Sequence, residues 1–213
     1  MQLFGFPLSP FVRKVVVVLT EKRQEFEWEP TNPRNPSEAF TRASPFGKIP
    51  AFADGDYMLA DSTAIVTYLE ARLPSVPLQA VEARARGREV FFDEIADTIL
   101  VPAAAPIVLN RFLKPVIFGE AGDEEAALAA EQAVEKPLAY LEAEAARAGW
   151  LNGQYGIGDI AFASVVKTLG YAGWALDAAT YPALVALYAR VCERPAWVAV
   201  AEREAAMFAA AGR

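Results

Sequence analysis

The stretch QLFGFPLSPFVRKVVVVLTEK, residues 2–22, decides the fold. Gln2 to Phe6 is short, apolar and stopped by Pro7, the pattern of a strand. Ser9 and Pro10 follow at once, and serine at an N-cap with proline in the first turn is a strong helix start. The run from Val15 to Leu19 is β-branched and favours a strand on propensity alone. The cap and the length of the segment instead predict a buried helix reaching about Lys22.

Working outward, Phe26 to Glu29 reads as a second strand. Thr31 to Pro36 holds the breakers Asn32, Pro33 and Pro36 and is loop. Ser37 caps a short helix to Arg42. Ile49 to Ala53 and Tyr57 to Ala60 are strands around an Asp54-Gly55 hairpin turn. Ser62 opens a helix to Arg72. The order β-α-β-α-β-β-α is that of a small α/β domain. Pro74 and Pro77 then mark a connection, and helical patterning takes over near 82–112, 123–147, 157–169, 182–192 and 196–208. Pro102 and Pro106 are expected to kink the first of these. We therefore divide the chain into an α/β domain (residues 1–76), a linker (77–83) and an all-α domain (84–213).

Charge supports the division. Residues 1–76 carry 8 basic and 9 acidic side chains, whereas 77–213 carry 12 and 18. The net charge of −7 argues against a nucleic-acid partner. The tightest apolar run, Val15 to Leu19, is too short to cross a bilayer, and no basic, apolar leader is visible. With a single cysteine, Cys192, no disulfide framework is possible, and a cytoplasmic setting is expected. Histidine is absent altogether. That excludes Ser-His-Asp and Cys-His nucleophile systems and any site that needs an imidazole ligand. No metal is expected. Chemistry is left to hydroxyls, carboxylates, cations, backbone amides or a borrowed reagent.

Three segments qualify. Ser9 is either a plain helix cap or a hydroxyl placed at an electropositive helix end to meet an anion. Without histidine it lacks the usual base, yet it can stabilise another molecule's thiolate. Gly47-Lys48-Ile49-Pro50 is either a loop entering a hairpin or, if the Ile49–Pro50 bond is cis, a turn that presents Ile49 to an extended peptide-like ligand. Asp61-Ser62-Thr63 is either a cap or a carboxylate-binding helix start, with Asp61 placed to hold an ammonium group.

These segments in this order resemble the glutathione S-transferase family. The resemblance rests on SPFVRKV (9–15), FGKIPAF (46–52) and ADSTAIVTYLE (60–70), with GIGDIAFAS (156–164), YPAL (181–184) and RPAW (194–197) in the helical half. The SPF start is similar to the serine-type, tau-like and bacterial members. The resemblance implies a thioredoxin-like first domain and a helical second domain. It implies glutathione as co-substrate, with Ile49 before a cis-Pro50 pairing with its cysteinyl backbone. Asp61 and Ser62 would hold the γ-glutamyl end, Lys48 would approach the glycyl carboxylate or nearby backbone, and Ser9 would donate to the sulfur. Tyrosine-type chemistry is disfavoured, because Tyr57 is the first tyrosine and strand one offers only Phe4 and Phe6. Cysteine-type chemistry is disfavoured because Cys192 lies far along the chain.

An electrophile pocket is expected from Leu8, Phe11, Ile107, Asn110, Arg111 and Phe112, with Trp174 a further candidate. A small apolar electrophile and a homodimer are expected, without nucleic-acid or membrane partners. Two alternatives stay open: a non-catalytic glutathione-binding or protein-interaction module, and a glutathione-dependent isomerase or dehalogenase. One departure from the family pattern is Gly156, where Ser or Thr commonly stands three residues before Asp159. Asp159 is expected to reach back to the N-cap amide, with Tyr155 and Ile160 at staple positions.

Overall fold

In the computed structural model, which describes residues 1–31 and 35–210, β1 (Gln2–Phe4) lies at the centre of a four-stranded sheet. It pairs parallel with β2 (Glu27–Glu29) and antiparallel with β3 (Ala51–Asp54), which in turn pairs with β4 (Tyr57–Ala60). The helices α1 (Pro10–Glu21), α2 (Glu38–Ala43) and α3 (Ser62–Arg72) complete the expected β-α-β-α-β-β-α order. β3 starts at Ala51, two residues later than the sequence suggests. Pro50 has no N–H to give to a ladder and so stays outside it. Of the expected 31–36 loop, residues 32–34 lie outside the described residues.

α1 is helical despite its valines because it is buried on every side. Val12 and Val15 to Leu19 are wholly shielded from solvent. Tertiary burial overrides the intrinsic preference, as it commonly does. The loop after β1 passes so close that a Cβ on Gly5 would stand 2.3 Å from a Val12 methyl. Glycine is required there for close approach.

Ion pairs tie the far end of α1 down. Lys22 meets Glu70 of α3 at 2.7 Å and donates to the carbonyls of Leu73 and Val76. Arg194 meets Glu21 at 2.6 Å.

The chain divides into two compact units whose limits differ from those read in the sequence. The first comprises Met1–Leu78 together with the chain from Cys192 onward, and the second is Gln79–Val191. Helix α9 (Pro195–Ala210) packs against α1 and so groups with the sheet rather than with the other helices. Sequence patterning shows that α9 is helical, but its burial partner is 191 residues away for the Arg13–Glu204 contact, beyond the reach of local reading.

The second unit holds α4 (Ala83–Glu94), α5 (Val101–Val108), α6 (Glu124–Ala148), α7 (Ile157–Tyr171) and α8 (Pro182–Cys192). The expected helix of 82–112 is instead a longer composite. π-helical turns at Ile95–Leu100 and Leu109–Phe118 flank α5 and carry the chain through Pro115 to a left-handed Gly119. A π turn is the usual way for a helix to absorb a disturbed hydrogen-bond ladder. Pro102 falls directly after the first π-helical turn, at the start of α5. Among the described residues, no helix is long and apolar enough to cross a membrane.

α7 is buried along most of its length, and Asp159 sets its start. Its carboxylate accepts the N–H of Gly156 and the N–H of Leu151, both at 3.0 Å. The first bond is the one the sequence leads us to expect. The second pins the preceding turn as well. Burial pushes the Asp159 carboxyl from the ordinary 3.8 up to about 7, against the two amide bonds that lower it.

The folded chain therefore keeps a proton that the unfolded chain releases between about pH 4 and pH 7, so this group's contribution to stability falls as pH rises across that window. We predict that Asp159→Asn lowers stability by about 1–3 kcal/mol, since one buried amide loses its acceptor. The variant should also flatten that pH slope in urea titrations. Parallel slopes for the two proteins would refute the assignment.

Candidate active site

Strand register brings three loops to one end of the sheet. Phe4, the last residue of β1, lies opposite Ala51, the first of β3, and Ala51 lies opposite Ala60, the last of β4. Neighbouring strands are about 4.8 Å apart. The segments that leave or enter these residues, namely 5–9, 44–50 and 61–63, therefore emerge side by side in the first unit.

Ser9 caps α1. It has extended backbone angles, and its Oγ accepts the N–H of Val12 at 3.4 Å. This contact is long beside the other side-chain caps, 3.1 Å at Ser37 and 3.0 Å at Asp61. The hydroxyl accepts weakly, and that bond does not use its own O–H proton. The residue is half-buried, at the electropositive end of a 12-residue helix.

The second loop is built on a tight turn that the sequence reading missed. Ser44-Pro45-Phe46-Gly47 closes with the Gly47 N–H on the Ser44 carbonyl at 3.0 Å, and Gly47 adopts φ +66°. Proline second and glycine fourth are the signature of such a turn and could have revealed it. The buried Ser44 Oγ then donates to the Lys48 carbonyl at 2.6 Å. Lys48 itself is exposed, Ile49 is half-buried, and the Ile49–Pro50 bond is cis.

The third segment joins the second directly. The N–H of Asp61 donates to the Pro50 carbonyl at 3.3 Å. Asp61 has φ +84° and ψ +129°, a conformation that costs a residue with a Cβ about 1–3 kcal/mol. Its Oδ1 accepts the N–H of Ala64 at 3.0 Å, and the residue is exposed. Strain of this kind collects at ligand-binding positions. Ser62 is buried beneath it, and Thr63 accepts a hydrogen bond at 3.2 Å from the buried ammonium of Lys14. The outcome is a hydroxyl, an exposed cation, extended backbone and an exposed carboxylate on neighbouring strand ends. This set can receive an extended peptide that carries both charges.

The remaining candidates differ in accessibility. Leu8 is buried and Phe11 half-buried beside Ser9 in sequence. In the second unit Ile107 is fully buried. Arg111 is engaged by Glu124 at 2.6 Å and Glu131 at 2.5 Å, which holds its guanidinium firmly protonated. The Asn110 amide donates to the Pro106 carbonyl at 2.9 Å and accepts from Lys114 and Asp123. Phe112 faces the ring of Tyr171, centroids 5.6 Å apart. Trp174 and Cys192 are half-buried. The geometry thus explains Asn110 and Arg111 as braces of the π-helical segment.

Comparison with known proteins identifies the family. Residues 3–77 match the glutathione S-transferase N-terminal domain family, and residues 93–195 match the glutathione S-transferase C-terminal domain family. Glutathione S-transferase 3 of Zea mays is 35% identical over 158 residues, covering 72% of this chain and 70% of that protein. A probable glutathione S-transferase of Oryza sativa subsp. japonica is 27% identical over 92% of this chain and 93% of its own. Among solved structures, a glutathione S-transferase from Rhodospirillum rubrum F11 superposes with a TM-score of 0.86 at 29% identity, over 93% of this chain and 90% of that one.

The strained N-cap yields a direct test. Asp61→Ala keeps the unfavourable φ and loses the cap, whereas Asp61→Gly loses the cap but relieves the backbone. We predict that the glycine variant is more stable than the alanine variant by about 1 kcal/mol or more in urea unfolding. The reverse order would mean that Asp61 is not strained.

Proposed function

The chain belongs to the glutathione S-transferase family, and from that premise we propose that it conjugates glutathione to a small apolar electrophile, with the Ser9 hydroxyl stabilising the reactive thiolate. The observation that carries this reading is the weakly engaged Ser9 Oγ at the start of α1, 3.4 Å from the amide it caps.

The other loops suit glutathione in extended form. Its γ-glutamyl ammonium falls to the exposed carboxylate of Asp61 and its γ-glutamyl carboxylate to Ser62 and the N-terminus of α3. Its cysteinyl backbone pairs with Ile49 ahead of Pro50, in the manner of an added strand. Its glycyl carboxylate falls to Lys48. These assignments place the sulfur beside Ser9. Leu8 and Phe11 flank that serine in sequence and supply apolar contact for the electrophile in the first unit. No metal enters the reaction, and its setting is the cytoplasm.

The energetics suffice. A free thiol titrates near pH ~8.5 and is mostly protonated at neutral pH, and the thiolate is the nucleophile. Lowering that value by about two units needs roughly 2.7 kcal/mol of preference for the anion. One charge-assisted hydrogen bond contributes about 1.5–3 kcal/mol, and a helix N-terminus about 0.3–1 kcal/mol more. The thiol proton leaves to solvent, since no histidine stands by to take it. The thiolate then attacks the electrophilic carbon, forming a C–S bond as the leaving group departs or the acceptor's π bond opens. Proximity does the rest of the work.

We predict that Ser9→Ala lowers kcat/KM by about 10–100-fold, the loss of one charge-assisted bond. Glutathione should still bind by calorimetry, weakened no more than about fivefold at pH 7, because only the hydrogen bond to the sulfur is removed. Turnover at the wild-type level would end the proposal. Asp61→Ala should weaken glutathione binding about tenfold or more, as one charged contact is lost.

A homodimer is part of the same reading. Phe46, at the tip of the 44–47 turn, is 90% exposed in the single chain, an apolar ring with no cover. Light scattering should report twice the 23.1 kDa chain mass, and Phe46→Ser should shift the distribution toward the monomer. A monomer for the unaltered protein would remove the dimer from the proposal.

A further inference from the structure

The ion pair beneath the start of α1 is not explained by stability. Arg13 Nε donates to Glu204 Oε1 of α9 at 2.7 Å, and both side chains are fully shielded from solvent. Taking two charges out of water costs much of what their attraction returns. Apolar residues of similar volume commonly fill such a place as well or better. What the pair supplies that methionine and leucine lack is a directed hydrogen-bond donor.

Arg13 holds the Ser9 segment at two points. Its backbone N–H donates to the Ser9 carbonyl at 3.0 Å, the first helical bond of α1. Its guanidinium Nη2 donates to the Pro7 carbonyl at 3.3 Å. Pro7 has no N–H, so its carbonyl is the one backbone hydrogen-bonding group through which that residue can be gripped. Only Leu8 lies between the two held carbonyls. The side chain of Glu204 orients the guanidinium that makes the second contact, and a planar guanidinium can serve both partners at once.

We propose that Arg13, braced by Glu204, is a positioning residue that aims the Ser9 hydroxyl, so that helix α9 takes part in the chemistry of the first unit. This rests on the reading of Ser9 as the thiolate's hydrogen-bond donor. Displacing a reacting group by about 1 Å costs as much as 100-fold. A loop released at Pro7 needs to shift its hydroxyl by only a fraction of that to be measurable.

The test replaces the pair with apolar residues, Arg13→Met together with Glu204→Leu, which retains volume and avoids an orphaned charge. Titration of bound glutathione, followed by thiolate absorbance, should show the thiol pKa raised by about one unit, a ~10-fold loss of thiolate at pH values below that range. KM for glutathione at pH 7 should rise no more than about threefold while kcat falls. Adding Ser9→Ala to this variant should shift the thiol no further than Ser9→Ala does alone, because the pair acts through Ser9. An unshifted thiol in the paired variant, with Ser9→Ala shifting it, overturns the inference and leaves the Ser9 reading intact. An unshifted thiol in Ser9→Ala overturns both. Should the paired variant not fold, Arg13→Lys retains a cation for Glu204 but gives up the second arm to Pro7. It should raise the thiol pKa in the same direction, and an unchanged value there overturns the inference equally.

Discussion

A helix buried on all sides has no water for its own charges. α1 carries Arg13 and Lys14 in its buried stretch, with Lys22 at its end, and each cation needs a partner inside the protein. Those partners decide which elements α1 meets at each point. Glu204 brings in α9, Thr63 brings in the start of α3, and Glu70 brings in its far end. The valines of α1 supply the hydrophobic gain, but valines do not choose partners. The cations do, because an unpaired buried charge is among the costliest defects a fold can carry. The placement of the candidate site follows. Ser9 opens the helix that is held this way, and Thr63 stands two residues after Asp61.

Much of the architecture was legible because it rests on short-range chemistry. Ser9-Pro10, Asp54-Gly55 and the caps at Ser37 and Asp61 act within a few residues, and each is found where its residue type requires. Asp159 reached the Gly156 amide as its spacing implied. What was not legible depends on distance or on water. Nothing near Arg13 in the sequence announces Glu204. Pro102 and Pro106 read as interruptions, whereas both lie within α5, between two π-helical turns. Arg111 reads as a cation free to line a pocket, yet Glu124 and Glu131 engage it. The φ of Asp61 could not be read at all, since aspartate at an N-cap gives no hint of a positive dihedral.

In the proposed reaction, the absence of histidine sets the character of the chemistry. A hydroxyl at a helix end cannot abstract a proton strongly, but it need not do so. Stabilising an anion that water has helped to form requires only a donor in the right place and a helix dipole behind it. Such a site is sensitive to geometry rather than to the protonation state of a base. The surrounding bonds from Arg13 and Ser44 to loop carbonyls are consistent with that demand.

The grouping of α9 with the sheet has a consequence for how the molecule is made. Arg13 and Glu204 are separated by 191 residues of chain. At about 5–20 residues per second, a ribosome needs on the order of 10–40 s to deliver the second after the first. For that interval the face of α1 that α9 covers lacks its partner, and the Arg13 guanidinium lacks the Glu204 carboxylate. The second unit, contiguous in sequence, can close while the first waits. Vectorial synthesis thus inverts the spatial hierarchy: the sheet that emerges first is finished last.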